Sequence, residues 1–187
     1  METSYIKRLV DHLQSRGVRF SAGLGEREIQ RIEHTYAFRF PPDLRQILAH
    51  ALPVSEGFPD WRSGAESELR QHLSQPLDGI LFDVENNGFW LDEWGPRPTD
   101  LGQALSLAAA RCAVAPTLVP LYRHRYLPSE PLLEHNPVLS VYQTDVIPYG
   151  NDLASYFSTE FGMYLPSWAA ARPRSIRFWD QLAVLNR

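Results

Sequence analysis

The chain has 187 residues, 44% hydrophobic and 21% charged, with a formal net charge of −4 at pH 7. That is one domain's length with apolar side chains for a substantial core, which excludes a disordered chain. It also lacks the basic field that broad nucleic-acid binding needs, any apolar run of the ~20 residues that span a bilayer, and the layout of a signal peptide, so a cytoplasmic protein with no nucleic-acid or membrane partner is expected.

Ile6, Leu9, Val10 and Leu13 recur at helical spacing, and Gly17 supplies a stop. Glu26 and Glu28 suit the start of a second helix carrying Ile29, Ile32 and Tyr36. FPPDLRQILAHAL predicts a third, with proline at its first position and Leu44, Ile47 and Leu48 on its buried face. LPVSEGFPDWR, with two prolines and a glycine, reads as an ordered loop. Short helices over 66–73 and 78–84 are expected on either side of Pro76. Thr99 or Asp100 can cap a helix running to about Ala115, ended by Pro116.

The pattern then changes. TLVPLY, RYLP, PVLSVYQ and DVIPY are short, rich in β-branched and aromatic residues, and separated by turn formers. They predict strands between Leu118 and Tyr149. Asn151 is the expected cap of a helix bearing Leu153, Tyr156, Phe157 and Phe161, and a last helix bears Ile176, Trp179, Leu182 and Leu185. MYLPSWAAARPRS reads as a connection. Helices, then clustered strands, then helices give an α+β class with a single mixed or antiparallel sheet flanked by helices, in one domain over 1–187.

Catalytic patterns are sparse. Cys112 lies in an Ala/Leu-rich run and reads as a small buried residue rather than a nucleophile. The six histidines include no i, i+4 pair, and there is no CxxC, so no metal site is expected. SAGLGERE lacks the third glycine of a dinucleotide loop and a P-loop lysine, and no clear strand precedes it, so no cofactor is expected. There is no GxSxG elbow, and Ser140 sits mid-strand. His124 and Asp145 could meet across neighbouring strands as an acid–base pair, but a chain of this size offers such a pair by chance. No catalytic residue, and no enzymatic activity, is expected.

Two stretches remain. In YRHRYLP, residues 122–128, strand alternation puts Arg123 and Arg125 on one face and Tyr122, His124 and Tyr126 on the other. A framework strand pair is expected, with its tyrosines inward and its arginines outward or paired with carboxylates, and an anion or partner site at Arg123 and Arg125 is the alternative. Between Arg70 and Arg97 there is no lysine or arginine, while Asp78, Asp83, Glu85, Asp92 and Glu93 accompany Phe89, Trp90 and Trp94. Acidic groups beside large aromatics suit a basic protein partner. The candidate partner-binding residues are Asp83, Glu85, Trp90, Asp92, Glu93 and Trp94. The competing reading is a solvated acidic loop whose tryptophans point into the core.

GLGEREIQRIEHTYAFRFPPDLRQIL, with its turn at Phe40, Pro41, Pro42, Asp43 and Leu44, resembles the opening of the SUKH superfamily of Smi/Knr-type proteins. FPDWR, NGFWLDEWGPRP, VPLYRHRYLP and NPVLSVYQTDVIPYGNDLASYF follow in the order of a bacterial branch. The likeness spans about residues 24–161, leaving the first helix and the C-terminal tail outside. HALPVSEGFPDWR departs from it where a glycine pair often stands. The resemblance implies an α+β domain with one sheet and no enzymatic activity. Many bacterial members are thought to be immunity proteins that bind and neutralise toxin domains, often nucleases, of polymorphic or contact-dependent systems. Eukaryotic relatives are regulatory and scaffold-like. An immunity protein is therefore the leading expectation, and a regulatory scaffold or small-ligand module the alternative.

Overall fold

A computed structural model describes residues 1–185 of the chain. In order it has α1 (Thr3–Ser15), β1 (Phe20–Ala22), α2 (Glu26–Tyr36), α3 (Pro42–His50), β2 (Ala51–Pro53), α4 (Glu66–Asn86), a 3-10 turn (Asp92–Trp94) and α5 (Leu101–Cys112). Then come β3 (Leu118–Tyr122), β4 (Arg125–Pro128), β5 (Val138–Tyr142), β6 (Asp145–Gly150), α6 (Leu153–Phe161) and α7 (Trp179–Leu185). The class is α+β, as the pattern predicts.

Local chemistry explains most boundaries. α1 buries Tyr5, Ile6, Leu9, Val10 and Leu13 on one face. Glu28 accepts the Gly25 N–H at the start of α2, and Ala37, at φ 55°, ends it. Pro42 opens α3. Of the two expected caps of α5, Asp100 holds the place and accepts the Gln103 N–H at 2.8 Å. The cap of α6 is Asp152, one residue beyond the expected Asn151, and it accepts the Ser155 N–H at 2.8 Å.

The expected single sheet is two antiparallel sheets. β3–β4–β5–β6 form a meander, and β1 pairs separately with β2. β1 and β2 have three residues each, too few for alternation to register in the sequence, and β1 precedes the GLG segment where no strand was expected. The ribbon is held by Arg62, from the FPDWR loop. Its guanidinium donates to both Glu28 carboxylate oxygens at 2.7 and 3.1 Å, and to Ser21 Oγ, Ala22 O and Gly23 O.

The meander is covered on both faces, which is why its strands read as nearly continuous apolar runs. Val119, Leu121, Leu127 and Val138 join one core with α1, α2, α3 and α6. Leu118, Tyr126, Leu139, Val141 and Val146 join a second core with α4, α5 and α7. Trp179 anchors α7 to the second core, its indole N–H donating to Pro116 O at 2.8 Å. Ile176 lies just before that helix and is buried, while Leu185 is exposed, against the expected buried face.

The other departure concerns Pro76. It does not split two helices but sits inside one 21-residue helix. A proline there lacks the N–H for its i−4 bond and clashes with the preceding turn, a cost of about 3 kcal/mol. Here Pro76 is buried and extends the stripe of Leu69, Ile80 and Val84, so its ring packs where an aliphatic side chain would. Tertiary packing overrides local propensity.

Candidate protein-binding face

YRHRYLP spans the end of β3, a turn and β4. Arg123 and His124 are the two residues of a tight turn closing β3 on β4, since Tyr122 pairs with Arg125 across it. Arg123 has φ 51°, so alternation breaks there and the two arginines do not share a face. Arg123 points to solvent, its guanidinium 5.0 Å from the Tyr122 ring centroid. Arg125 turns inward. Its side chain is 12% exposed, pairs with Glu160 at 3.3 Å, donates to Ser140 Oγ at 2.9 Å and lies 3.8 Å above the Tyr149 ring. Arg125 is thus held within the framework. Tyr126 is buried as expected, its hydroxyl donating to Gln75 Oε1.

Among the described residues, no hydrogen bond joins His124 to Asp145, both of which are exposed, and no group of three histidine, cysteine or acidic side chains could hold a metal. Ser140 Oγ accepts from the Arg125 guanidinium. Cys112 is buried, and burial pushes its thiol up to about 11, far from a reactive thiolate. An Asp–His pair that sequence patterns missed lies elsewhere. His135 Nδ1 is 3.2 Å from Asp152 Oδ2, while the His135 N–H donates to Asp43 Oδ2 at 3.0 Å. Asp152 also accepts the N–H groups of Ser155 and Ala170, and Asp43 that of Leu44. These two buried aspartates tie the starts of α3 and α6 to neighbouring loops, and no hydroxyl or thiol bonds to His135 among the described residues. Burial holds the Asp43 carboxyl above the usual carboxylate range. The Asp43 of the family-like motif is thus an internal anchor.

The acidic stretch divides into four parts. Asp83 is buried, so it is corrected from partner-binding to structural. It accepts the Thr144 N–H at 3.0 Å, the Thr144 hydroxyl at 2.6 Å and the Asn87 amide at 2.5 Å. Trp94 is buried in the second core, with Phe89 and Trp90 edge-on to its ring at 6.0 and 5.1 Å. Trp90 is half-buried and donates to Gly95 O at 2.7 Å, within its own loop. Neither tryptophan is a free anchor. Asp92 and Glu93 are exposed but face α7, where Gln181 donates to Glu93 at 2.5 Å. Glu85 remains exposed on α4.

α4 itself supplies a different surface. Glu68, Gln71, Gln75, Asp78, Phe82 and Glu85 are all exposed and spaced three or four apart, which makes one stripe opposite the buried one. Phe82 is 48% exposed. Tyr142, at the β5–β6 turn, is 70% exposed. A cavity of about 670 Å³ lies between this stripe and the two hairpin turns, and Asp78, Phe82, His124, Tyr142 and Gln143 line it. A second hollow of about 560 Å³ flanks α4 on the α5 side, sharing Asp78 and Phe82 and adding Glu85 and Leu105. Neither is lined by lysine or arginine.

The wall of this groove is fixed. Gly79 brings α4 so close to the β5–β6 turn that a Cβ there would stand 2.8 Å from Gln143 Cα. Asp83 grips the next residue of the same turn through Thr144. No helix among the described residues is long and apolar enough to cross a membrane. Comparison of the chain with protein-family models, with curated proteins and with solved structures finds no match.

Proposed function

We propose that the chain is a non-catalytic protein-binding domain of the SUKH kind, acting as a cytoplasmic immunity protein that covers a basic toxin domain. The observation that carries the binding reading is the exposed α4 stripe, where Asp78 and Glu85 lie one turn to either side of the half-exposed ring of Phe82 and Glu68 extends the acidic edge toward the start of the helix. Large exposed apolar side chains rimmed by charge mark interaction surfaces. Acidic rims speed the approach of a basic partner, and aromatic residues near the centre hold it. The order of family-like motifs supports the immunity role, and nuclease toxins with basic nucleic-acid clefts would match the charge. The alternative of an anion-binding module at Arg123 and Arg125 loses its support, because Arg125 is committed to Glu160.

The test is affinity capture of a partner from the native host, followed by association kinetics with the purified pair. Raising salt from 0.1 M to 1 M shortens the Debye length from ~10 Å to ~3 Å, so association should slow markedly. If the partner is a toxin, co-expression should restore growth. A captured partner whose association ignores salt, or whose contacts avoid α4, would reject this face.

A further inference from the structure

We infer that the cavity between α4 and the two hairpin turns is a socket for an arginine side chain presented by a basic protein partner. This deepens the protein-binding reading above and rests on it.

The lining chemistry selects the guest. The carboxylates of Glu68 and Asp78 and the side-chain amides of Gln71, Gln75 and Gln143 offer many acceptors, and no fixed cation competes for them. An arginine brings five N–H donors in a planar fork that can pair with a carboxylate at two points. The rings of Phe82 and Tyr142 add flat faces at the mouth. A guanidinium stacks on such a face while it pairs with a carboxylate, whereas a lysine ammonium is a compact, strongly hydrated point charge. The fold already contains that arrangement in its interior, where the Arg125 guanidinium lies 3.8 Å above the Tyr149 ring and 3.3 Å from Glu160.

Electrostatics and shape agree with this. Burial, and then the charge of Arg125, hold His124 below the usual imidazole range, which disfavours a cation at that edge of the socket. The volume of about 670 Å³ falls in the range of roughly 300–1,000 Å³ typical of ligand pockets. The backbone of the turn that carries Tyr142 and Gln143 is pinned from beneath at Gly79 and Asp83, so it needs no ordering on binding.

The test uses three blocked peptides, hexa-arginine, hexa-lysine and hexa-citrulline, titrated into the isotope-labelled full chain at low salt and followed by NMR. Shifts should centre on Gly79, His124 and Gln143. The arginine peptide should bind more tightly than the lysine peptide by about fivefold, which corresponds to the ~1 kcal/mol of one exposed cation–π contact. Citrulline keeps the shape without the charge and should not bind. Tyr142→Ala should remove the arginine preference, Tyr142→Phe should retain it, and Asp78→Asn should weaken both cationic peptides. Both positions are exposed, so the variants should keep the wild-type spectrum away from the groove. Shifts centred on Asp92 and Glu93, equal binding of arginine and lysine, or indifference to Tyr142→Ala would each overturn the socket. If a captured partner still binds α4 with salt-dependent kinetics and ignores Asp78→Asn and Tyr142→Ala, the socket falls and the protein-binding reading stands. If the arginine peptide binds here but the captured partner's contacts avoid α4, the socket survives and that reading falls.

Discussion

Gly79→Ala should destabilise this protein, although the same change in an ordinary helix stabilises it. Alanine is favoured over glycine in helix interiors by about 1 kcal/mol. At Gly79 the new Cβ would lie 2.8 Å from Gln143 Cα and 3.2 Å from Gln143 N. Carbon atoms pack best at about 3.5–4.0 Å, so the contact is repulsive. The obstacle is backbone, not the end of a flexible side chain. That backbone sits in a two-residue turn, with Gln143 at φ 55° and Thr144 held by Asp83. Overpacking of this kind costs about 1–3 kcal/mol. Set against the propensity gain, the net change is a loss of up to about 2 kcal/mol. Urea unfolding followed by circular dichroism measures it, and an unchanged m-value shows that both end states are preserved. Ser74→Ala, on the exposed side of the same helix, is the control and should gain a few tenths of a kcal/mol. If Gly79→Ala instead gains about 1 kcal/mol, α4 does not press on the β5–β6 turn, and the groove has no fixed wall.

Further outcomes follow from the buried polar groups. Asp83→Ala should cost roughly 3 kcal/mol, about one per lost hydrogen bond. A double-mutant cycle with Thr144→Val should show strong coupling, and additivity would refute the staple. Arg125→Ala should cost about 3–5 kcal/mol because it leaves Glu160 largely buried and uncompensated. Arg123→Ala should cost under about 1 kcal/mol, and the reverse order in a denaturant titration would restore a special role to Arg123. Cys112 should resist iodoacetamide in the native state and react at the rate of unfolding. Its thiol stands at about 11 in the fold against 9.0 unperturbed, so the unfolded chain loses the proton first as pH rises. Its contribution is therefore full below pH 9.0 and declines toward about 11, and Cys112→Ala should flatten that alkaline slope.

Wherever spacing alone decides the outcome, the sequence was legible. The apolar faces of α1, α2 and α3, the Asp100 cap and the four strands between Leu118 and Gly150 all follow from period and punctuation. What was not legible depends on tertiary contact. Pro76 breaks a helix in isolation, and only its burial reveals that the helix continues. The turn at Arg123 and His124 carries no glycine or asparagine, so alternation runs through it on paper and wrongly places Arg123 on the face of Arg125. The acidic run looked like one patch because charge can be counted without geometry. Folding sends Asp83 inward, Glu85 to the solvent face of α4, and Asp92 and Glu93 toward α7. Phe82 and Tyr142 carry no mark of exposure in the sequence, because a single aromatic residue fits a core as well as a surface, and only the fold places them outside.

The residues of α4 that break helix rules and those that would meet a partner lie on opposite sides of one rod. Pro76 and Asp83 are buried and Gly79 is pressed against the sheet, one for packing, one for a staple and one for close approach. Each is unfavourable for an isolated helix, and each gains a specific contact with the meander. Glu68, Asp78, Phe82 and Glu85 face away and have no such role in the core. The two sets meet at the turn of Gln143 and Thr144, which Gly79 and Asp83 hold from beneath and which presents Gln143 and Tyr142 to the cavity. A surface that must recognise one partner among many gains specificity from rigidity, since a fixed ring and a fixed carboxylate reject guests that a mobile loop would accommodate. The unfavourable residues on the buried side of α4 are therefore the physical means by which the turn beside its exposed side is held in place.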